Sequence, residues 1–327
     1  MKEKKNSSVR SPLAGTRVPV LMFAVNKTIS IRTPSLAALS LLTAAPSAQA
    51  HEGSHGWWTL DPWVVLPLLL FAAAYVFAVA KAYSSDSRPQ RLRAMRPPAL
   101  LACAGALGAL FLALIWPLDA LGELSFAAHM TQHMMLIAVA APLLVFAEPG
   151  VALTRTFPTA TAPMRALRRS RLLRVALKPR TAFAVHAAVI WGWHAPGLFE
   201  LALRNDLVHV LGHLSFFGSA LLFWTSLRQA GRAGGDGYGI AALGTLGTLM
   251  HMGLLGGLLT FAPHPLYSTY DETALATLAA ITPLEDQQLA GLVMWVPAAI
   301  PYLIAGLGFV LAWLRDAQRH AARADSP

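Results

Sequence analysis

Charged residues are scarce in this sequence of 327 residues. Asp, Glu, Lys and Arg together make up 13% of the chain, whereas hydrophobic residues make up 55% and the mean hydropathy is +0.51. A soluble domain normally carries roughly twice this proportion of charge. We therefore expect most of the chain to lie in a lipid bilayer rather than in water.

Cysteine and acidic residues are also few. The single cysteine, Cys103, falls inside an apolar run, so that neither a disulfide framework nor a CxxC site is available within one chain. The 16 acidic residues are outnumbered by 26 basic ones, which gives a net charge of +10. We expect no nucleic-acid partner, because the basic residues lie between apolar runs and not on one face of a soluble domain.

The first 50 residues have the pattern of a secretory signal. A basic segment precedes the apolar stretch 36–45, and Ala48-Gln49-Ala50 provides a small-x-small cleavage site. The apolar stretch is too short to cross a bilayer, which takes about 20 residues. We predict a cleaved signal-like extension over 1–50 and a mature chain that begins at His51, outside.

Seven longer apolar runs follow, and each is long enough for a transmembrane helix. Basic residues gather after the first, third and fifth runs and in the tail, whereas most acids lie in the other connections. The positive-inside rule then places the N-terminus outside and the C-terminus inside. The predicted fold is all-α, a polytopic bundle of about seven transmembrane helices over 51–315 with a cytoplasmic tail at 316–327. The runs lie at roughly 63–82, 98–117, 124–147, 181–202, 207–227, 239–262 and 290–314.

Histidines are unusually frequent within these runs. Ionisable side chains inside a membrane cost about a few kcal/mol and so mark function more often than in a soluble core. Two pairs are spaced i,i+4, which places both imidazoles on one face of a helix. His186 lies further inward, and we interpret it as a packing or hydrogen-bonding residue whose replacement leaves metal binding nearly unchanged. The histidines predicted to share the outer half of the membrane are His129, His133, His194, His209, His213 and His251.

These six histidines predict a metal site, and copper fits it best. Imidazole together with thioether suits copper, whereas the scarcity of thiolates and clustered carboxylates argues against iron–sulfur, calcium and magnesium. Pro196 is expected to kink or open the fourth helix beside His194. The methionines that flank the histidine segments are Met130, Met134, Met135, Met250 and Met252.

Three other local features have simpler interpretations. Thr282 and Glu285 flank Pro283 and Leu284 as a helix capping box would. Gly253 and Gly257 form a small-xxx-small pair, which is typical of closely packed helices. Asp286 and Glu272 either form an acidic mouth that attracts cations or are simply solvated.

Two other functions remain open on the sequence. A b-type haem protein uses histidines from different helices as axial ligands, yet two haems across a membrane need histidines more than three turns apart on one helix. A copper transporter requires metal-binding side chains that continue inward, where only His186 lies. No enzyme is expected: the histidine pairs lack the glutamate of H-E-x-x-H, the last helix lacks a Schiff-base lysine, and no partnered nucleophile or phosphate loop is evident.

Several spaced motifs together resemble a known family. They are HMTQHMM at 129–135, WHAPGLFE at 193–200 followed by His209 and His213, MHMG at 250–253, and PLEDQQLAG at 283–291. In this order they resemble the multispanning CtaG assembly factors of cytochrome c oxidase, associated with caa-type oxidases, over about residues 55–315.

The resemblance implies a bundle of about seven helices in the cell membrane that helps copper reach the catalytic copper centre of the oxidase. Its implied partner is the catalytic subunit of cytochrome c oxidase. The further partners that we expect are the lipid bilayer and a periplasmic copper donor. The resemblance assigns no metal ligands, so the six histidines remain an inference from the residues themselves.

Overall fold

Helices dominate the residues that the computed structural model describes, which are 58–84, 96–267 and 281–324. No strand occurs in these ranges, and the all-α prediction is confirmed. The predicted signal and the start at His51 lie outside the described residues. The helices are α1 (Pro62–Ser84), α2 (Pro97–Leu114), α3 (Leu118–Leu124), α4 (Phe126–Met134), α5 (Ala141–Ala147), α6 (Pro149–Thr156), α7 (Ala162–Arg169), α8 (Arg171–Ala176), α9 (Pro179–Trp193), α10 (Pro196–Arg204), α11 (Asp206–Ala233), α12 (Asp236–Thr260), α13 (Pro283–Trp295) and α14 (Ala299–Ala324).

Six helical stretches of the described chain are long and apolar enough to cross a membrane, so that the protein is a multi-pass membrane protein. The fourth predicted span differs from the others, because it is two short helices, α9 and α10. Pro196 lacks an amide hydrogen and begins a new helix, while His194 and Ala195 form the break. The 15 residues of α9 reach only about 22 Å, which is less than the hydrocarbon thickness of roughly 30 Å.

Apolar and polar side chains are distributed as expected for a protein in lipid. Large aliphatic side chains such as Leu70, Leu243 and Ile304 remain about two-thirds exposed on the outside of the bundle. In contrast, His186 and Asp286 are completely buried. Lipid solvates the aliphatic groups, and the ionisable groups therefore face the protein interior.

The bundle brings α4, α9 and α11 together around the histidine segments. Helix α4 packs on α3 and α13, and α11 packs on α9 and α12. A π-helical segment, Met135–Ala140, follows α4 directly. Such wide turns are often found beside functional sites, and here Trp224 donates a hydrogen bond of 3.1 Å to the Ile137 carbonyl that the segment presents.

The small residues of α12 permit a close crossing, but not at the predicted pair. A Cβ atom added to Gly256 would lie 2.7 Å from the carbonyl oxygen of Gly291 on α13. Gly253 lies near the Trp295 ring, whereas a Cβ on Gly257 would meet nothing within 4 Å. The prediction for Gly257 is therefore wrong, because α13 crosses α12 one position earlier on the helical surface.

The orientation with the N-terminus outside stays a prediction from the charge bias. Fusions of a reporter that is active only outside the membrane are expected to be active after Asp119 and Asp206 and inactive after Arg169 and Arg319. Activity after Arg169 with none after Asp119 would reverse the orientation and contradict the depth assigned to the histidines.

Candidate metal centre

Three of the predicted histidines converge in the structure. One ring nitrogen from each of His129, His209 and His213 lies within 4.8 Å of the others. Helix α4 supplies the first of these rings and α11 supplies the other two. The i,i+4 spacing stacks His209 and His213 with ring centroids 4.3 Å apart, as predicted. Together these three imidazoles form a group that could hold one metal ion.

Two further histidines complete a five-ring cluster, which we call the outer cluster. His133 lies 4.4 Å from His129 and 5.2 Å from His213, between ring centroids. His194, at the end of α9, lies 6.3 Å from His133. The outer cluster therefore consists of His129, His133, His194, His209 and His213, which α4, the end of α9 and α11 contribute.

His251 is the predicted site residue that the structure does not place in the outer cluster. Its ring contacts Phe183 of α9 at a centroid distance of 5.6 Å. No ring contact joins it to the five clustered histidines in the part of the chain that is described.

The outer cluster contains buried nitrogen atoms whose hydrogen-bonding capacity is unused within the described protein. These are Nδ1 of His133 and Nε2 of His209 and His213. A buried polar atom without a partner costs about 1–3 kcal/mol, so that three in one cluster call for a ligand, water or ion. His129 instead hydrogen-bonds the backbone of Gly122, which orients its ring.

His194 and Met130 bring an imidazole and a thioether into contact at the edge of the outer cluster. The Nδ1 atom of His194 lies 2.7 Å from the carbonyl oxygen of Ile190, which only accepts, so Nδ1 carries the proton. In the neutral ring, Nε2 then presents a lone pair to the Met130 sulfur, 3.2 Å away. An unprotonated imidazole nitrogen and a thioether sulfur are thus neighbours, and both can act as ligands of a soft metal ion.

The helix break also holds His194 in place. Because the chain turns after Trp193, the carbonyl of His194 leaves the helical hydrogen-bond pattern. It accepts a hydrogen bond of 2.8 Å from the buried hydroxyl of Tyr267. The predicted opening at Pro196 is confirmed, and Tyr267 supplies the partner that an open backbone needs inside a membrane.

An acidic cavity of about 280 Å³ leads to the outer cluster. Its lining includes the carboxylates of Asp119, Glu123 and Asp206 together with His129 and His209. Asp119 accepts a 2.7 Å hydrogen bond from the Gln132 amide. Three carboxylates beside two imidazoles attract cations to the cavity.

Asp286 has a different role from the predicted one. It is fully buried, and its carboxylate accepts hydrogen bonds from the Ser125 hydroxyl at 2.7 Å and from the amides of Phe126 and Ala127 at 2.6 and 3.2 Å. The acidic-mouth interpretation of this residue is therefore wrong, and Glu272 lies outside the described residues. Asp286 anchors the start of α4, the helix that carries His129.

The neighbouring Glu285 caps its own helix, as predicted. The Thr282 hydroxyl accepts from the Glu285 amide, while the Glu285 carboxylate accepts from the Thr282 amide at 2.8 Å. Glu285 thus stabilises the start of α13, whereas Asp286 links α13 to α4 by hydrogen bonds. Sequence spacing identified only the contact between Thr282 and Glu285. Asp286 could not be assigned in this way, because its hydrogen-bond partners lie some 160 positions away.

Comparison with protein families gives a match over most of the chain. Residues 73–316 match the model of the cytochrome c oxidase caa3 assembly factor family, Caa3_CtaG. Comparison with curated proteins and with solved structures gave no match. The matched range covers α2 to α13 in full and contains all six predicted histidines. On this evidence the chain belongs to the Caa3_CtaG family of cytochrome c oxidase assembly factors.

Proposed function

We propose that this protein holds copper in the outer cluster and supports its insertion into the catalytic copper centre of cytochrome c oxidase. The observation that carries the proposal is the convergence of His129, His209 and His213, with ligand atoms within 4.8 Å of one another. Copper is the cargo, and the oxidase is the client that family membership suggests. The role is that of an assembly factor in the plasma membrane and not that of an enzyme.

The donor set supports copper as the metal. Imidazole suits several transition metals, but the thioether of Met130 beside His194 favours cuprous copper. Cys103 lies elsewhere, in a core cluster with Tyr75 on α1 and α2, and takes no part in the site. A site built from imidazole and thioether also releases copper more readily to another ligand set than one built from thiolates.

The acidic cavity supports a route for the ion. Under the predicted orientation it opens to the outer side, where a periplasmic donor would deliver copper to Asp119, Glu123 and Asp206. His129 and His209 line the same cavity and would take the ion by ligand exchange. The oxidase would then receive copper from this face without release into bulk water.

The crowding of the outer cluster weighs against a haem. Axial ligands approach a haem from opposite faces of a wide planar macrocycle. Here the rings of His129, His133 and His213 lie 4.4 to 6.1 Å from one another, with no slot between them for such a plane. One compact metal ion fits this arrangement better.

Copper titration of the purified protein tests the proposal. With a cuprous ion buffered by a competing chelator, we expect tight binding and no Soret band in the absorption spectrum. Replacing His209 and His213 together by alanine is expected to weaken binding at least about ten-fold, because two of three converging ligands are lost. His320→Ala, which alters an exposed histidine in the last turns of α14, is the matched control. Stoichiometric haem in the purified protein would overturn the proposal.

A further inference from the structure

His186 has a fixed tautomer that leaves a buried lone pair. Its Nδ1 atom lies 3.1 Å from the hydroxyl oxygen of Ser219, and that hydroxyl donates its own hydrogen to the Phe216 carbonyl at 3.1 Å. Ser219 therefore accepts, and Nδ1 of His186 carries the proton. The Nε2 atom is left unprotonated in a side chain with no exposed surface, and it has no partner in the described protein.

His251, on the neighbouring helix α12, also has buried nitrogens without a hydrogen-bond partner in the described part of the chain. Both of its ring nitrogens are buried and lack a hydrogen-bond partner among the described residues. Its ring meets the edge of Phe183, three residues before His186 on α9, and α12 packs directly against α9. Within the described protein, His251 therefore has two buried nitrogens without a partner, and His186 has one. Buried polar atoms in a packed interior usually have a hydrogen-bond partner, so this arrangement is uncommon.

The pair is separate from the outer cluster. His186 precedes His194 on α9 by eight residues, which is about 12 Å along the helix axis. The stacked ring of Phe223, 5.1 Å from His186, closes one side of the pair. A ligand held by His186 and His251 would thus lie about two helical turns further from the acidic cavity than the outer cluster.

We propose that His186 and His251 form a second binding site for a transition-metal ion, most favourably cuprous copper, bridged between Nε2 of His186 and a nitrogen of His251. Imidazole nitrogen is a suitable ligand for copper and for other transition metals. The naming of copper rests on the proposed function, whereas the site itself rests on the unpaired nitrogens. This departs from the interpretation of His186 as a packing residue alone and extends the metal-binding side chains toward the predicted inner side.

Ser219 is a positioning residue for this site. Its hydroxyl accepts from Nδ1 and thereby directs the lone pair of His186 to Nε2. Replacing Ser219 by alanine removes the acceptor but no ligand, so we expect a weaker site with unchanged stoichiometry at saturating metal.

The experiment is a titration of the full-length protein in detergent with cuprous ion buffered by a competing chelator. The wild type, His251→Gln, Ser219→Ala, the double variant His209→Ala with His213→Ala, and the control His320→Gln are compared. We expect His251→Gln to bind one equivalent fewer than wild type and to keep the ion of the outer cluster, which also reports that it has folded. The double variant is expected to retain the equivalent that His251→Gln loses.

Three results have distinct meanings. If His251→Gln binds as many ions as wild type with the same affinity, the second site is rejected, and the free nitrogens are solvated by water. If the double variant loses every equivalent while His251→Gln loses none, the second site fails and the outer cluster stands. If wild type binds no copper, the proposed function fails; the same titration with zinc then decides whether His186 and His251 hold a metal ion, and equal zinc binding by wild type and His251→Gln rejects the site.

Discussion

Replacing His213 by leucine is expected to stabilise the metal-free protein while removing the copper response of the outer cluster. The Nε2 atom of His213 is buried without a partner, so the folded state carries a desolvation penalty that an aliphatic side chain of similar size does not. We expect the metal-free variant to gain about 1–3 kcal/mol, read as a rise in melting temperature. Sites selected for function commonly show this exchange of stability for activity.

The copper response of the same variant is the second half of this prediction. A metal that binds only the folded state at 100 times its dissociation constant adds about 2.7 kcal/mol of stability. The second proposed site is first removed by His251→Gln. With that change in place, the protein should show such a shift with cuprous ion, and adding His213→Leu should leave little of it. His320→Leu, at an exposed position, should behave as wild type in both measurements. A variant that melts lower than wild type yet keeps the copper shift would mean that His213 is a packing residue.

Replacing Asp286 by alanine is expected to have the largest effect on the fold around the site. The buried carboxylate is the acceptor for Ser125, Phe126 and Ala127 at the start of α4, and its removal leaves three donors in the interior. At about 1–3 kcal/mol for each unsatisfied donor, the loss is on the order of 3 kcal/mol or more. Because α4 carries His129, copper affinity should fall together with the melting temperature.

Asp286→Asn and Glu285→Gln are the matched comparisons. Asparagine keeps one oxygen acceptor, so its effect should lie between those of wild type and alanine. Glu285 is an exposed capping residue one position earlier, and its replacement should leave copper affinity unchanged. If Glu285→Gln lowers copper affinity as much as Asp286→Ala does, the specific anchoring of α4 by Asp286 is contradicted.

The spans and the paired histidines could be predicted because both depend on local spacing. Apolar runs of about 20 residues indicate membrane helices, and an i,i+4 spacing places His129 beside His133 whatever the rest of the fold does. That α4 and α11 meet at these histidines was a weaker prediction. It rested only on placing the pair on α4 and the pair on α11 at similar depths in the membrane.

The separation of His251 from the other five predicted histidines could not be predicted, because it depends on how α12 packs against α9. The sequence, taken as one continuous helix over 181–202, predicts His186 further inward than the six histidines of the site. In the structure the ring of His251 packs against Phe183, three residues before His186 on α9, and not against the outer cluster.

The burial of Asp286 and its role in anchoring α4 could not be predicted for a different reason. Its sequence environment, next to Glu285 at a helix start, is that of an exposed capping acid. Only the packing of α13 on α4 buries the side chain and brings it the Ser125 hydroxyl and two amides. A contact between residues some 160 positions apart has no signature in local spacing, and the π-helical segment after Met134 has none either.

The metal content of the client oxidase tests the central claim most directly. Oxidase purified from cells that lack this protein, or that carry His209→Ala with His213→Ala, is expected to contain its haem but to lack copper in the catalytic centre. Activity per cell should then fall further than the amount of oxidase subunit, because the subunit is made and left incomplete. Oxidase with full copper content and normal turnover in those cells would contradict the delivery of copper by the outer cluster.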